Sequence, residues 1–240
     1  MKNYNKLSIL RSCFLLIALF ISISFHTSAQ QTYQINSKLE ESIKWYIGAT
    51  GQVDDAKAKA LLEIAASTQD PLAVMWIARV YSTGRMGYPA DKDKAKEIAK
   101  SVISKVEELA EQQVPEAIFL MGTAYAEGLG KNENSQEAVE WYRRAAKLGN
   151  TLAQHNLGNA YAFAAGIEQN HELAVKWWLK AAEQGDAIPQ YQLGLSYEAG
   201  KGVAQDRATA KRWYQESAER GYAKAKIALT RLNRLERLNR

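Results

Sequence analysis

The 240-residue sequence is poor in the residue types that most often carry chemistry: it has one cysteine, three histidines and four prolines. The single thiol, Cys13, excludes a disulfide framework, so the fold rests on packing. His155 and His171 fall in different predicted helices and form no H-x-x-x-H pair, which argues against a zinc site. A phosphate-cradling G-x-x-x-x-G-K-[ST] loop is missing, as are an S-x-x-K pair and a G-x-S-x-G nucleophile elbow. The abundant Asp and Glu fall at helix starts and on polar faces, where they serve solubility and capping before acid-base work. No catalytic, cofactor-binding or metal-binding residue is therefore expected, and the chain reads as a non-enzyme. Its 47% apolar content excludes disorder along the whole length.

What is present begins with a targeting pattern. Lys2, Lys6 and Arg11 precede an apolar run from Phe14 to Phe25, and the small residues Thr27-Ser28-Ala29 follow. That order predicts a secretory signal peptide over 1–29, cut after Ala29, and export to the periplasm or the medium of a bacterium. The alternative, an uncleaved anchor, needs an apolar run of roughly 20 residues, longer than this one. Cys13 precedes the run, whereas a lipoprotein cysteine follows it. Cleavage removes three positive charges and the cysteine, lowering the formal net charge from +5 to +2. The remaining excess is concentrated at Lys224, Lys226, Arg231, Arg234, Arg237 and Arg240, against Glu236 alone. The body between carries a slight negative balance, a poor footprint for nucleic acid.

Internal periodicity sets the fold. Columns 36 residues apart contain Gly122, Gly158 and Gly194; Tyr125, Tyr161 and Tyr197; Gly130, Gly166 and Gly202; Ala138, Ala174 and Ala210; Trp141, Trp177 and Trp213; and Gly149, Gly185 and Gly221. Each unit resolves into two helices. Asn134, Asn170 and Asp206 are predicted to cap the second helix, and Gly149, Gly185 and Gly221 to end it in a left-handed turn. Pro71 and Pro115 suit the first turn of first helices, where a missing amide hydrogen costs nothing. In the first helix, Met121, Gly122 and Tyr125 mark a face that must be buried, the glycine letting the two helices of a unit approach closely. Three good units span 115–150, 151–186 and 187–222. Two degenerate ones occupy 30–114, at about 34–69 and 70–113, the later with a lengthened helix from Asp91 to Gln113. A basic helix over 223–240 follows. Its Leu232, Leu235 and Leu238 are expected to cover the last unit while the arginines stay solvated; contact with an anionic membrane surface or an acidic partner is the sharper alternative.

The pattern A-x-x-x-L-G-x-x-Y, G-x-G, A-x-x-W-Y-x-x-A-A-x-x-G, seen in "AQHNLGNAY" and "AVKWWLKAAEQG", resembles the Sel-one-like repeat family, relatives of the tetratricopeptide repeat. The resemblance implies an all-α solenoid, a right-handed superhelix of antiparallel helix pairs. It also implies that a protein or peptide partner lies in a concave groove lined by the first helices, so that the chain acts as an interaction adaptor. The groove positions map onto Leu72, Met75 and Arg79; Glu116, Phe119, Thr123 and Glu127; Leu152, His155, Asn159 and Phe163; and Ile188, Tyr191 and Leu195. The partner-binding set drawn from them is Met75, Arg79, Phe119, Thr123, Glu127, His155, Asn159, Phe163, Tyr191 and Leu195. These vary from unit to unit, as recognition requires. The alternative is that curvature, or the chain's own ends, buries the rings. Some secreted relatives have been linked to penicillin binding, which keeps a weak cell-wall enzyme as the second functional reading.

Overall fold

Every described segment of regular structure is helical, and most of these helices start at a side-chain cap and end in a left-handed or glycine stop. The computed structural model describes residues 33–238; the expected signal peptide, and Arg240 at the other end, lie outside the described residues. From Ile35 the chain is one unit. Eleven helices run in order through the described residues: α1 (Ser37–Ile47), α2 (Asp55–Ser67), α3 (Pro71–Thr83), α4 (Lys92–Glu111), α5 (Pro115–Glu127), α6 (Ser135–Lys147), α7 (Thr151–Phe163), α8 (His171–Glu183), α9 (Ala187–Ala199), α10 (Arg207–Glu219) and α11 (Ala223–Leu238). They pair as α1–α2, α3–α4, α5–α6, α7–α8 and α9–α10, and α11 packs on α10, giving an all-α solenoid.

The predicted ends hold. Asn134, Asn170 and Asp206 accept backbone amides at the starts of α6, α8 and α10, and Gly149, Gly185 and Gly221 have φ of 92°, 88° and 89°. A second set of caps follows the left-handed turn residues Gln69, Gly149 and Gly185. Asp70, Asn150 and Asp186 accept amides at the starts of α3, α7 and α9. The lengthened helix is α4, of 20 residues.

Within a unit, the helical glycine sets the spacing. A Cβ built on Gly122, Gly158 or Gly194 would stand 2.6, 2.5 or 2.4 Å from the ring of Tyr142, Trp178 or Tyr214. The second helix thus presses its aromatic residue onto the bare backbone of the first, and those rings are buried.

First helices end in a left-handed residue, Gly48, Gly84, Gly128 and Gly200, but the fourth unit places Ala164 there with φ 56°. A Cβ in this region costs roughly 1–2 kcal/mol, and glycine returns about 0.4–1 kcal/mol through the entropy of the unfolded chain. Ala164→Gly is expected to stabilise the protein by up to about 1 kcal/mol in urea denaturation.

The C-terminal helix differs from expectation. Its buried stripe is Ala225, Ala228 and Leu232, with Leu229 packed beside them, whereas Leu235 and Leu238 are 45% and 72% exposed. The spacing of three between the leucines drifts around a helix of 3.6 residues per turn, and α11 runs on past the surface that α10 offers. Arg231 pairs with Glu198 of α9.

The solenoid winds far enough for its first unit to meet its last. The Val53 amide donates to the Arg220 carbonyl at 2.8 Å, and Arg220 Nη1 donates to the Gly48 carbonyl at 2.8 Å across 172 residues of sequence. The same turn rests on the fourth unit, where a Cβ on Gly185 would stand 3.1 Å from Ala49 Cα.

Candidate protein-interaction surface

Because the turn after α1 docks on the fourth and fifth units, α1 itself is carried across the inner side of the solenoid. Ile35, Ile43 and Ile47 face Pro115, Glu116, Leu152 and Gln184 along one shallow groove. Tyr46, near the end of α1, packs edge-on against Trp76 of α3 with centroids 6.0 Å apart. Trp76 then packs on Phe119 of α5, and Phe119 on Tyr142 of α6, each at 6.0 Å. This ladder of rings ties the first three units together.

The ladder changes the standing of the predicted groove. Met75, Phe119 and Thr123 are fully buried, and Arg79 and His155 are 4% and 6% exposed. A partner cannot touch Met75, Phe119 or Thr123 without displacing what covers them. Glu127, Asn159 and Tyr191 are half-buried, and Tyr191 packs on Tyr214 and Tyr222. Phe163 and Leu195 are open, at 67% and 37%. The ten residues therefore do not form one row. Arg79, Glu127, His155 and Asn159 gather around a polar pocket that Tyr46 and Ile47 help to close. Phe163 and Leu195 lie elsewhere, at the C-terminal ends of α7 and α9.

Polar groups on the inner side are held by named partners. Glu116, at the start of α5, accepts from Trp76 Nε1 at 2.6 Å and from Asn150 Nδ2 at 2.8 Å. Burial raises its pKa above the ordinary carboxylate value, against the opposing pull of those two bonds and of the Arg79 charge. A raised folded-state pKa makes a stability contribution present below the unfolded value, about 4.3, and lost as pH rises through the folded value. The stability advantage of the native protein over Glu116→Gln is therefore expected to shrink as pH is raised from about 4 to about 8 in urea denaturation. His155 Nδ1 lies 3.0 Å from Asp186 Oδ2, while Asp186 Oδ1 accepts the Ile188 amide at 3.0 Å.

Around Phe163 the surface is more apolar. On one side, Ala138, Val139, Tyr142, Asn159 and Ala160 line a groove of ≈ 260 Å³ between the third and fourth units. On the other, Ala162, Trp178, Leu195, Ala199 and Lys201 line a groove of ≈ 500 Å³ between the fourth and fifth. Phe163 stands on the ridge between them. Trp178 Nε1 donates to Asn159 Oδ1 at 3.1 Å, fixing the ring behind that ridge.

Sequence reasoning had passed over Tyr46, Trp76, Arg85, Asn150 and Asp186 as site residues. For Asn150 and Asp186 a signal was available, since a polar capping residue directly after the terminating glycine marks the start of the next helix. His171 opens α8. Among the described residues no group of His, Cys, Asp and Glu could hold a metal ion, and no helix is long and apolar enough to cross a membrane.

Antiparallel helix pairs, a glycine under a second-helix ring in each of the last three units and a stacked inner ladder define a helical-repeat scaffold. The Sel1 repeat model matches residues 45–67, 71–100, 115–150, 151–186 and 190–222, and the chain belongs to the Sel1 repeat family. Sel1 repeat proteins are in general protein-interaction scaffolds, typically without enzymatic activity. A Sel1 repeat protein from Oxalobacter formigenes is 31% identical, with a TM-score of 0.54 over 75% of this chain and 50% of that one. A protective antigen of uropathogenic Escherichia coli strains, displaying an SLR fold, is 29% identical with a TM-score of 0.54, over 80% of this chain and 39% of that one. The chain thus spans half or less of the length of these two relatives. No curated protein matches the sequence.

Proposed function

We propose that the protein is an exported interaction adaptor whose partner docks at the ridge of Phe163 and Leu195, rather than along the whole inner row. The observation that carries this reading is Phe163, an aromatic side chain 67% exposed between two apolar grooves. Aromatic anchors of this kind dominate binding energy in interfaces. The grooves on either side suit an apolar peptide or helix laid across units three to five. Met75, Arg79, Phe119, Thr123 and His155 are then packing residues of the inner side, away from that ridge.

A photo-crosslinking amino acid at position 163, expressed in the native host, tests the docking face. The expected result is a discrete crosslinked species that is absent when the same group replaces Ile64, which is also exposed, at 52%. Equal crosslinking at the two positions would contradict the reading. Phe163→Ala is expected to weaken capture of that partner by about 2 kcal/mol or more and to leave stability within about 0.5 kcal/mol. Export rests on the basic, apolar and small-residue order of 1–29 and is tested by sequencing the mature N-terminus, expected at Gln30. A mature protein that begins at Met1 would remove the export claim and leave the docking face intact.

A further inference from the structure

The polar pocket on the inner side, of ≈ 110 Å³, is bounded by α1, α3, α5, α7 and the start of α9. Arg79 lines it, 4% exposed. Its guanidinium carbon sits 5.8, 4.5 and 5.4 Å from the ring centroids of Tyr46, Trp76 and Phe119. Three rings thus hold the group in place, yet its Nε and Nη1 are buried with no hydrogen-bond partner. Across the same pocket, Glu127 Oε2 is buried and unpartnered as well. Buried polar atoms are paired in the great majority of cases, and a charged donor and a charged acceptor both left open in one pocket require an explanation.

The neighbouring charges narrow the ligand. Arg85 is engaged by the Tyr46 hydroxyl, and Asp186 by His155 and the Ile188 amide. Glu116 bonds to Trp76 and Asn150 and reaches Arg79 only through its field. The buried polar atoms of this pocket left without a hydrogen-bond partner belong to one cation, Arg79, and one anion, Glu127, and the field of Arg85 also reaches Glu127. A simple anion would meet Glu127, and a simple cation would meet Arg79, each as a like-charge contact inside a low-dielectric site. A molecule carrying both charges on adjacent atoms satisfies both residues.

We propose that this pocket binds a small free α-amino acid, its carboxylate on the Arg79 guanidinium and its ammonium on Glu127. A carboxylate suits guanidinium geometry, and the volume limits the side chain to a small one. Asn156, Asn159 and Thr83 line the same pocket and offer further polar contacts. This assignment is independent of the docking ridge, and its failure would leave that reading untouched.

Titration calorimetry of the full mature chain with glycine, L-alanine and L-serine tests it. The expected result is a Kd below about 1 mM for at least one of them, weakened at least tenfold in N-acetyl-L-alanine and in L-alaninamide, each of which removes one charge. Glu127 is half-buried, so Glu127→Gln is expected to keep the native melting temperature while weakening the amino acid at least tenfold. Arg79→Lys retains the charge but loses the planar fork, and is expected to weaken it as well. No heat with any of the three up to about 10 mM, equal binding of the blocked derivatives, or an unaffected Glu127→Gln would each overturn the proposal.

Discussion

Gly166→Ala is expected to destabilise the protein by about 2–5 kcal/mol, the sum of a left-handed backbone penalty of roughly 1–2 and an overpacking penalty of about 1–3 kcal/mol. Gly166 has φ 74°, and a Cβ built on it would lie 2.2 Å from the Ser135 carbonyl oxygen and 2.8 Å from the Gln136 amide nitrogen. Those are backbone atoms at the first turn of α6, so the clash cannot be relieved by a rotamer change. The loop of the fourth unit would have to withdraw from the third. Gly202 repeats the arrangement one unit later, 2.2 Å from the His171 carbonyl oxygen. Gly87 is the control: its φ is 69° and nothing lies within 4 Å of a built Cβ. Gly87→Ala carries the backbone penalty alone, so the difference between the two variants in urea denaturation isolates the contact between units. Equal losses would show that the 36-residue glycine column serves chain geometry only.

Trp76→Ala is expected to cost about 3–5 kcal/mol, the usual range for removing a large buried ring. Trp76 is fully buried, touches Tyr46 of the first unit and Phe119 of the third, and donates to the buried Glu116 carboxylate. Trp76→Phe separates the contributions. It keeps most of the ring and leaves Glu116 short of a donor, a loss of about 1.5–3 kcal/mol for a bond to a charged group. Both variants are expected to loosen the first unit before the rest, because the Tyr46 ring of α1 packs on Trp76. Tryptophan fluorescence alongside backbone circular dichroism during denaturation detects such a split as two non-coincident transitions. Coincident curves with a loss under about 1 kcal/mol would contradict the ladder.

The repeat columns made most of the fold legible. Helix stops at Gly149, Gly185 and Gly221, caps at Asn134, Asn170 and Asp206, and the close approach at Gly122, Gly158 and Gly194 all follow from local rules, because each depends on residues within one 36-residue unit. The groove was less legible. Mapping first-helix positions onto a tetratricopeptide-like surface assumes an open superhelix, and nothing local in Tyr46, Trp76 or Arg220 announces that the first unit folds across the inner side. That contact depends on small rotations accumulated over five units. Phe119 looked like an anchor because it is aromatic and varies between units; burial made it part of the wall. Phe163 occupies the column of Glu127, at the end of its helix, and stays open. Leu232 is buried as expected, but Leu235 and Leu238 went astray for a different reason, since each three-residue step falls short of a full 3.6-residue turn and rotates the side chain off the buried face.

The exchange rate of the Val53 amide hydrogen tests the closed solenoid most directly. In the native protein this amide donates to the Arg220 carbonyl, so slow exchange is expected, falling to the rate of an open loop when the chain is shortened to end before the fifth unit. Fast exchange of Val53 in the full chain would contradict the account, because the first unit would then stand away from the last and α1 would no longer be held across the inner side.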